Sequence, residues 1–285
     1  MSRFEYLRPK DLDSALKILR EDGIYPIAGG TNLLVDIRAG IVQPKAVLDI
    51  GFLQELKELN HGNGLTEIGP CLTMTEVANS ALIRSKAPIL AEAALSVGGP
   101  QIRNRATLGG NIVSASPAAD TVISLVALNA EAILRDSAEV RKVPLEELIS
   151  GPGQTKIRKG ELLTHISFKT PSPEEKGIFS KLGRRNALAI SVVNIGIMTS
   201  ANHTTRRWRT VRIALGAVAS TVIRARKAEA FLSDQPTDPQ LIKEAARIAA
   251  SECSPISDIR ASADYRRAMV QVLVEEGLYR LRGSF

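Results

Sequence analysis

The sequence predicts an α+β protein of two domains, and three of its features support this prediction. Before residue 171, short strand-like and helix-like segments alternate with glycine-rich turns. Pro171-Ser172-Pro173 is then the clearest linker in the chain. Beyond it, three strand-like runs precede three helix-like runs, an order typical of α+β domains. We therefore expect one domain over residues 1–172 and a smaller one, an antiparallel sheet with helices, over residues 173–285.

Apolar periodicity places the elements of the first domain. A helix is expected over 11–22, with Asp11 as its N-cap, and Thr73 and Glu76 have the spacing of a capping box that opens another helix. Two further apolar helices are expected over 89–96 and 121–128. Strands are predicted at 24–28, 46–50, 65–69, 131–134, 139–143 and 162–168, the fourth and fifth forming a hairpin.

The second domain has longer regular segments. Antiparallel strands are predicted at 179–182, 189–198 and 211–217. Helices are predicted at 222–232, 239–251 and 263–281.

Composition excludes several classes of protein. Hydrophobic residues make up 44% of the chain and charged residues 24%, as in ordinary globular domains. No apolar run approaches the ~18 residues needed to span a membrane, and the N-terminus has no secretory h-region. A cytoplasmic location without a membrane span is therefore expected. The two cysteines, Cys71 and Cys253, cannot supply the four thiolates of an iron–sulfur cluster, and the three histidines show no metal-ligand spacing, so no metal site is expected in this chain.

The formal net charge of +7 leaves nucleic-acid binding as an alternative. Its sharpest feature is the basic cluster Arg206-Arg207-Trp208-Arg209. No nucleic-acid recognition motif accompanies this cluster, which fits equally a solvated loop between strands or a surface facing an acidic partner. We expect no nucleic-acid partner, and keep a basic, non-enzymatic binding module as the contrasting hypothesis.

A glycine pair follows the strand predicted at 24–28. Gly29 and Gly30 are followed by Thr31 and Asn32, which open a short helical turn. Glycines allow a positive φ and let successive N–H groups approach an anion, and the start of a helix adds partial positive charge. The alternatives are a phosphate site and a plain strand-to-helix turn.

A second glycine pair, Gly109-Gly110, lies in the segment Thr107 to Asp120, among small residues. Small side chains expose the backbone to whatever lies against it. Asp120 could accept hydrogen bonds from the hydroxyl groups of a polyol, or could only cap the helix that follows. Neither glycine pair fits G-x-G-x-x-G, and no P-loop or G-x-S-x-G sequence occurs, so these nucleotide-binding and hydrolase motifs are not supported.

In combination, these two segments resemble the FAD-binding domain of the molybdenum hydroxylases, a family that includes the xanthine and aerobic carbon monoxide dehydrogenases. The resemblance rests on the A-G-G-T and T-x-G-G-N-x-x-x-x-S-P-x-x-D patterns. It extends through Gly99 to Asn104, Ser180 to Arg185, Gly216-Ala217 and Asp264 to Arg267. It thus covers essentially the whole chain and implies a two-subdomain FAD-binding domain of the molybdopterin dehydrogenase type, followed by the C-terminal domain of the separate flavin subunits.

The resemblance also implies which residues contact FAD. The first segment would surround the pyrophosphate: Ile27, Ala28, Gly29, Gly30, Thr31, Asn32 and Leu33. The second would hold the pyrophosphate and the ribityl chain: Thr107, Leu108, Gly109, Gly110 and Asn111. Asp120 would bond the ribityl hydroxyls, and Val97, Leu163 and Lys181 occupy positions close to the flavin. No catalytic acid or base is implied in this chain.

The resemblance further implies a division of labour between subunits. A molybdopterin large subunit would oxidise the substrate, and a small subunit with [2Fe-2S] clusters would relay electrons to the FAD of this chain. The FAD would pass them to NAD, a quinone or oxygen, and the assembly would be a dimer of heterotrimers. The Gly151-Pro152-Gly153 stretch is most similar to xanthine dehydrogenase flavin subunits; carbon monoxide, aldehyde and aromatic or N-heterocycle dehydrogenases are the alternatives. A self-contained FAD oxidase is disfavoured because 285 residues leave little room for a second, substrate-binding domain.

Overall fold

A computed structural model describes residues 3–185, 188–202 and 204–284. Residues 1, 2 and 285, which begin and end the two predicted domains, lie outside the described residues. The architecture is α+β, as predicted: a small parallel sheet, two larger antiparallel sheets and their helices. Within the described ranges, no helix is both long and apolar enough to cross a bilayer.

The first subdomain is a three-stranded parallel sheet with two short helices. Asp11 caps the first helix, as predicted, by accepting a hydrogen bond from the Ser14 N–H at 2.7 Å. Strand β3 lies between β1 and β2, so the carboxyl ends of β2 and β3 are neighbours, with Ile27 opposite Asp49. The elements are β1 Glu5–Leu7, α1 Leu12–Ile18, β2 Ile24–Ile27, α2 Leu33–Arg38 and β3 Ala46–Asp49.

The second subdomain is a five-stranded antiparallel sheet packed against short helices. Its strand order is β4-β5-β10-β6-β7, and the predicted hairpin at 131–143 is present. Thr73 and Glu76 form the predicted capping box. The elements are a 3-10 helix Gln54–Lys57, β4 Leu59–Gly62, β5 Leu65–Ile68, α3 Met74–Asn79, α4 Ala81–Lys86, α5 Pro88–Ser96, α6 Pro100–Arg103, α7 Leu108–Val113, α8 Asp120–Ala127, β6 Glu131–Arg135, β7 Val140–Pro144, α9 Leu145–Leu148, β8 Ile149–Gly151, β9 Gln154–Thr155 and β10 Leu162–Lys169.

The C-terminal part is an antiparallel sheet of order β11-β12-β13-β14 covered by helices. The helix predicted at 222–232 begins later than expected, because Ile223 and Arg224 pair with β13 as a short edge strand. The elements are β11 Lys176–Gly183, β12 Ser191–Asn202, β13 Arg207–Gly216, β14 Ile223–Arg224, α10 Arg226–Leu232, α11 Pro239–Ser251 and α12 Ala263–Arg282.

Helix α8 joins the second subdomain to the C-terminal sheet. All of its residues are buried, as expected from its apolar sequence, and it contributes to the core of the second subdomain. On its other side, Ile123 packs against β12 and β13 at Gly196 and Gly216. A Cβ at these two glycines would lie only 3.1 and 2.6 Å from the Ile123 side chain. The two glycines therefore let the helix lie directly on the sheet.

Candidate functional site

The first glycine segment forms a loop of unpaired N–H groups. Strand β2 ends at Ile27, helix α2 begins at Leu33, and Gly30 between them has φ +71°. Among the described residues, no N–H from Gly29 to Leu33 donates to another group of the protein. Five successive donors without internal acceptors suit an anion bound against the loop.

The packing of the protein itself requires glycine at position 29, whether or not a ligand is bound. A Cβ at this position would lie 1.9 Å from the Arg105 carbonyl oxygen, a main-chain atom that cannot move aside like a flexible side chain. The segment around Arg105 therefore lies directly on the loop. A larger residue at position 29 would disturb the fold itself, so this position cannot isolate an effect on ligand binding.

The second glycine segment forms the short helix α7. Thr107 caps it, its Oγ1 accepting from the Gly110 N–H at 3.2 Å. The N–H groups of Leu108 and Gly109 donate to the carbonyls of Leu72 and Pro70, and that of Asn111 donates to Thr107. The backbone from 108 to 111 is thus already hydrogen-bonded, and Leu108 is in the core. Any contribution of these residues to ligand binding comes from their exposed surfaces and side chains.

The fold brings the two segments together although they are about eighty residues apart. The Asn32 side-chain amide donates to the Ser114 hydroxyl at 2.9 Å, and that hydroxyl donates to the Gly110 carbonyl at 2.7 Å. Ala28, Gly29 and Thr107 line a common cavity of about 190 Å³. Residues of both predicted segments therefore lie at one cavity.

Asp120 does not cap α8. The N-cap is Ala119, which makes no side-chain cap hydrogen bond, and Asp120 is the first helical residue. Asp120 is 6% exposed, and its carboxylate accepts hydrogen bonds from the Lys181 ammonium (2.5 Å), the Ser191 hydroxyl (2.8 Å) and the Asn194 amide (2.7 Å). The capping alternative was wrong because these three partners come from β11 and β12, which a local pattern does not reveal.

The positions predicted near the flavin only partly converge. The Lys181 ammonium also donates to the Ser96 carbonyl at 3.2 Å, and Ser96 precedes the half-buried Val97. Val97, Asp120 and Lys181 therefore lie in one neighbourhood. Leu163 lies in β10 opposite Leu134, and its side chain is in the apolar core.

Sequence reasoning missed Asp49, which lines the cavity on the side of the parallel sheet. Its Oδ1 accepts from the Gly51 N–H at 2.9 Å, and its Oδ2 accepts from the Tyr6 hydroxyl. Cys71 also lines the cavity, and burial raises the pKa of its thiol to about 12. That thiol is protonated at neutral pH and is not a nucleophile.

The basic cluster at 206–209 has structural partners. Trp208 is buried, Arg207 donates to the Asp234 carbonyl at 2.5 Å, and Arg209 pairs with Glu174 at 3.0 Å. The cluster lies at the start of β13 and in the turn before it. These contacts support its interpretation as part of a strand connection.

Comparison with known proteins matches two regions of the chain to two family models. Residues 2–171 match the family model "FAD binding domain in molybdopterin dehydrogenase", and residues 178–281 match "CO dehydrogenase flavoprotein C-terminal domain". The chain is 32% identical to the glyceraldehyde dehydrogenase medium chain of Sulfolobus acidocaldarius, over 95% of both chains. It is 28% identical to the xanthine dehydrogenase FAD-binding subunit of Escherichia coli O157:H7, over 95% of this chain and 93% of that one.

A solved structure supports the assignment of the fold. A chain of carbon monoxide dehydrogenase from Hydrogenophaga pseudoflava superposes with a TM-score of 0.93 at 28% identity, covering 97% of this chain and 96% of that one. The described residues fit an FAD: the loop from Gly29 to Leu33 supplies N–H donors for a pyrophosphate, and a cavity adjoins it. The chain belongs to the family of FAD-binding subunits of molybdopterin dehydrogenases and is an FAD-dependent oxidoreductase subunit.

Proposed function

We propose that the chain passes electrons through its FAD from the [2Fe-2S] clusters of a small partner subunit to NAD, a quinone or oxygen. A molybdopterin large subunit would oxidise the substrate. The observation that carries this proposal is the run of five unpaired N–H groups from Gly29 to Leu33, in a chain of this family. The isoalloxazine supplies the redox chemistry, and the protein supplies binding and orientation.

Each predicted site residue has a role in this proposal. The loop from Ile27 to Leu33 holds the pyrophosphate. Thr107 to Asn111 hold the pyrophosphate and the ribityl chain. Gly110 is linked to the loop through the Ser114 hydroxyl, which contacts Asn32. Val97, Asp120 and Lys181 form the neighbourhood of the ribityl chain and the ring, and Leu163 supports it from the core. No residue of this chain acts as an acid or base on the substrate.

We propose that the substrate is selected in the large subunit. The stretch Gly151-Pro152-Gly153, which favoured xanthine dehydrogenase, forms the turn between β8 and β9, and Gly153 has φ +69°. A tight turn accounts for these residues without reference to a substrate. Xanthine therefore stays one prediction beside carbon monoxide, aldehydes and aromatic or N-heterocyclic compounds. Mass measurement of the purified complex tests the proposed dimer of heterotrimers, and its rates with each substrate test the choice among them.

The loop is tested by a matched pair of glycine variants. Gly30 and Gly40 have φ of +71° and +74°, so alanine imposes similar backbone strain at both positions; at Gly30 its Cβ also lies 3.1 Å from the flexible Leu34 side chain, whereas at Gly40 it meets nothing within 4 Å. Only Gly30 lies in the loop. We expect Gly30→Ala to weaken FAD binding to the flavin-free chain about tenfold, because loss of one hydrogen bond to a charged group costs ~1.5–3 kcal/mol.

Gly40→Ala is the control and is expected to retain wild-type affinity, measured by the quenching of flavin fluorescence. Equal affinities for wild type and both variants would contradict the assignment of the loop. A wild-type chain that binds no FAD would refute the proposed function as a whole.

A further inference from the structure

The topology of the first subdomain places an acid beside the anion-binding loop. The loop follows β2, and Asp49 ends the neighbouring parallel strand β3, opposite Ile27. In parallel dinucleotide-binding units, a glycine loop after one strand holds the phosphates, and an acid ~20 residues later, at the end of the next strand, bonds the ribose hydroxyls. Asp49 follows Gly29 by 20 positions. The same juxtaposition occurs here without the G-x-G-x-x-G sequence.

The Asp49 carboxylate has acceptor capacity left for such a ligand. It receives one hydrogen bond on each oxygen, from the Gly51 N–H and from the Tyr6 hydroxyl. A carboxylate can accept about four, so both oxygens can accept another. Asp49 and Gly29 line the same cavity, so a ligand at the loop and a ligand at the acid can be parts of one molecule.

The same cavity contains an aromatic surface. Phe52 lines it and is 49% exposed. The Arg8 guanidinium lies 3.6 Å from the centroid of the ring and covers one of its faces. A purine can stack on the remaining face, since aromatic side chains bind bases by stacking. Lys57 and Arg105 also line the cavity and favour a phosphate at its edge.

We propose that this cavity binds the adenosine half of the dinucleotide, with the ribose hydroxyls donating to Asp49 and the adenine on Phe52. The inference rests on the proposed function and adds the recognition of one half of its cofactor. The cavity volume of about 190 Å³ is below the ~300–1,000 Å³ of sites that enclose a whole ligand, which fits a site for one half. The flavin half then lies beyond the loop, on the side of Ser114 and Asp120.

The test uses the full chain freed of flavin and the probes FAD, FMN, ADP, 2′-deoxy-ADP and 3′-deoxy-ADP. Wild type should bind ADP at least tenfold more tightly than it binds 2′-deoxy-ADP, 3′-deoxy-ADP or both. Asp49→Asn should bind FAD and ADP about tenfold more weakly and lose this discrimination, while its affinity for FMN, which lacks adenosine, stays unchanged.

Two control variants separate recognition from folding. Tyr6→Phe removes one of the two internal hydrogen bonds of Asp49 but keeps the carboxylate, and should retain the preference for ADP. Asp36→Asn removes a carboxylate of the same subdomain that does not line the cavity, and should bind all probes as wild type does. Phe52→Ala should weaken the binding of ADP and leave the affinity for FMN unchanged.

The inference is overturned if Asp49→Asn binds FAD and ADP as wild type does, or if wild type does not distinguish the deoxy analogues. It is also overturned if Tyr6→Phe loses the preference to the same extent as Asp49→Asn. In each case, tight binding of FAD by wild type would leave the proposed function intact.

Discussion

Replacement of Asp120 by asparagine should destabilise the protein well beyond the loss of a helix cap. Its carboxylate receives three donors, from Lys181, Ser191 and Asn194, at 2.5–2.8 Å. An asparagine offers one acceptor oxygen and an NH2 group, which is a donor. In either orientation the NH2 group would therefore face the Lys181 ammonium or the Asn194 NH2 group, neither of which can accept a hydrogen bond from it.

The magnitude follows from the burial of the pair. The side chains of Asp120 and Lys181 are 7% and 14% exposed. Removal of one partner of a buried ion pair costs about 3–5 kcal/mol, because the remaining charge stays buried without compensation. Lys181 keeps its hydrogen bond to the Ser96 carbonyl, so we expect the lower end of this range, about 3 kcal/mol.

The assay is urea unfolding of the flavin-free chain for wild type, Asp120→Asn, Lys181→Gln and the double variant. The double variant should be less destabilised than the sum of the two single variants, because it leaves no unpaired charge. Asp13→Asn is the control: it breaks an exposed pair with Arg135 and should cost less than about 1 kcal/mol. A cost below about 1 kcal/mol for Asp120→Asn would refute the reasoning, since asparagine caps a helix as well as aspartate does.

Three further predictions concern other parts of the chain. Gly29→Ala should lower the free energy of unfolding by about 1–3 kcal/mol even without flavin, because its Cβ meets the Arg105 carbonyl. Gly62→Ala is the control, since its Cβ meets nothing within 4 Å. Equal urea midpoints for the two variants would contradict this prediction. The Arg260 guanidinium holds the pKa of the Asp258 carboxyl far below its usual range. The stabilisation from this lowered pKa is complete above about pH 4 and is lost as the pH falls through the pKa of the folded protein. In urea unfolding, Asp258→Asn should therefore be destabilising at pH 7 and progressively less so towards pH 2. A difference in the free energy of unfolding between variant and wild type that does not change with pH would contradict the assignment. DNA binding by the isolated chain, measured by fluorescence anisotropy, should be weak and disappear between 50 and 200 mM salt; a specific complex at physiological salt would support the binding-module hypothesis.

Local sequence patterns predicted the elements whose determinants are local. The caps at Asp11 and Thr73 depend on residues three positions apart, and both are confirmed. Helix α7 was not predicted, because its two glycines have low helix propensity and its N–H groups depend on carbonyls some 36–39 positions earlier. The division into domains at 172 and 173 stays a prediction.

For the site too, local patterns indicate only the features whose determinants are local. The glycine loop could be recognised because its function depends on backbone conformation, which short motifs determine. The role of Asp120 could not, since its partners lie on two distant strands. Asp49 carried a usable signal, an acid at the end of a strand 20 positions after a glycine pair, but the order of the strands was needed to interpret it.

The burial of α8 on both sides has a consequence for the modularity of this protein. A chain ending at the linker would leave Ile123 facing water where Gly196 and Gly216 now cover it, and would leave Asp120 without any of its three partners. The two regions matched by separate family models therefore share a buried interface. Grafting the flavin-binding half alone onto another redox protein would expose this face of the helix to water, whereas a transplant of both halves would keep it covered.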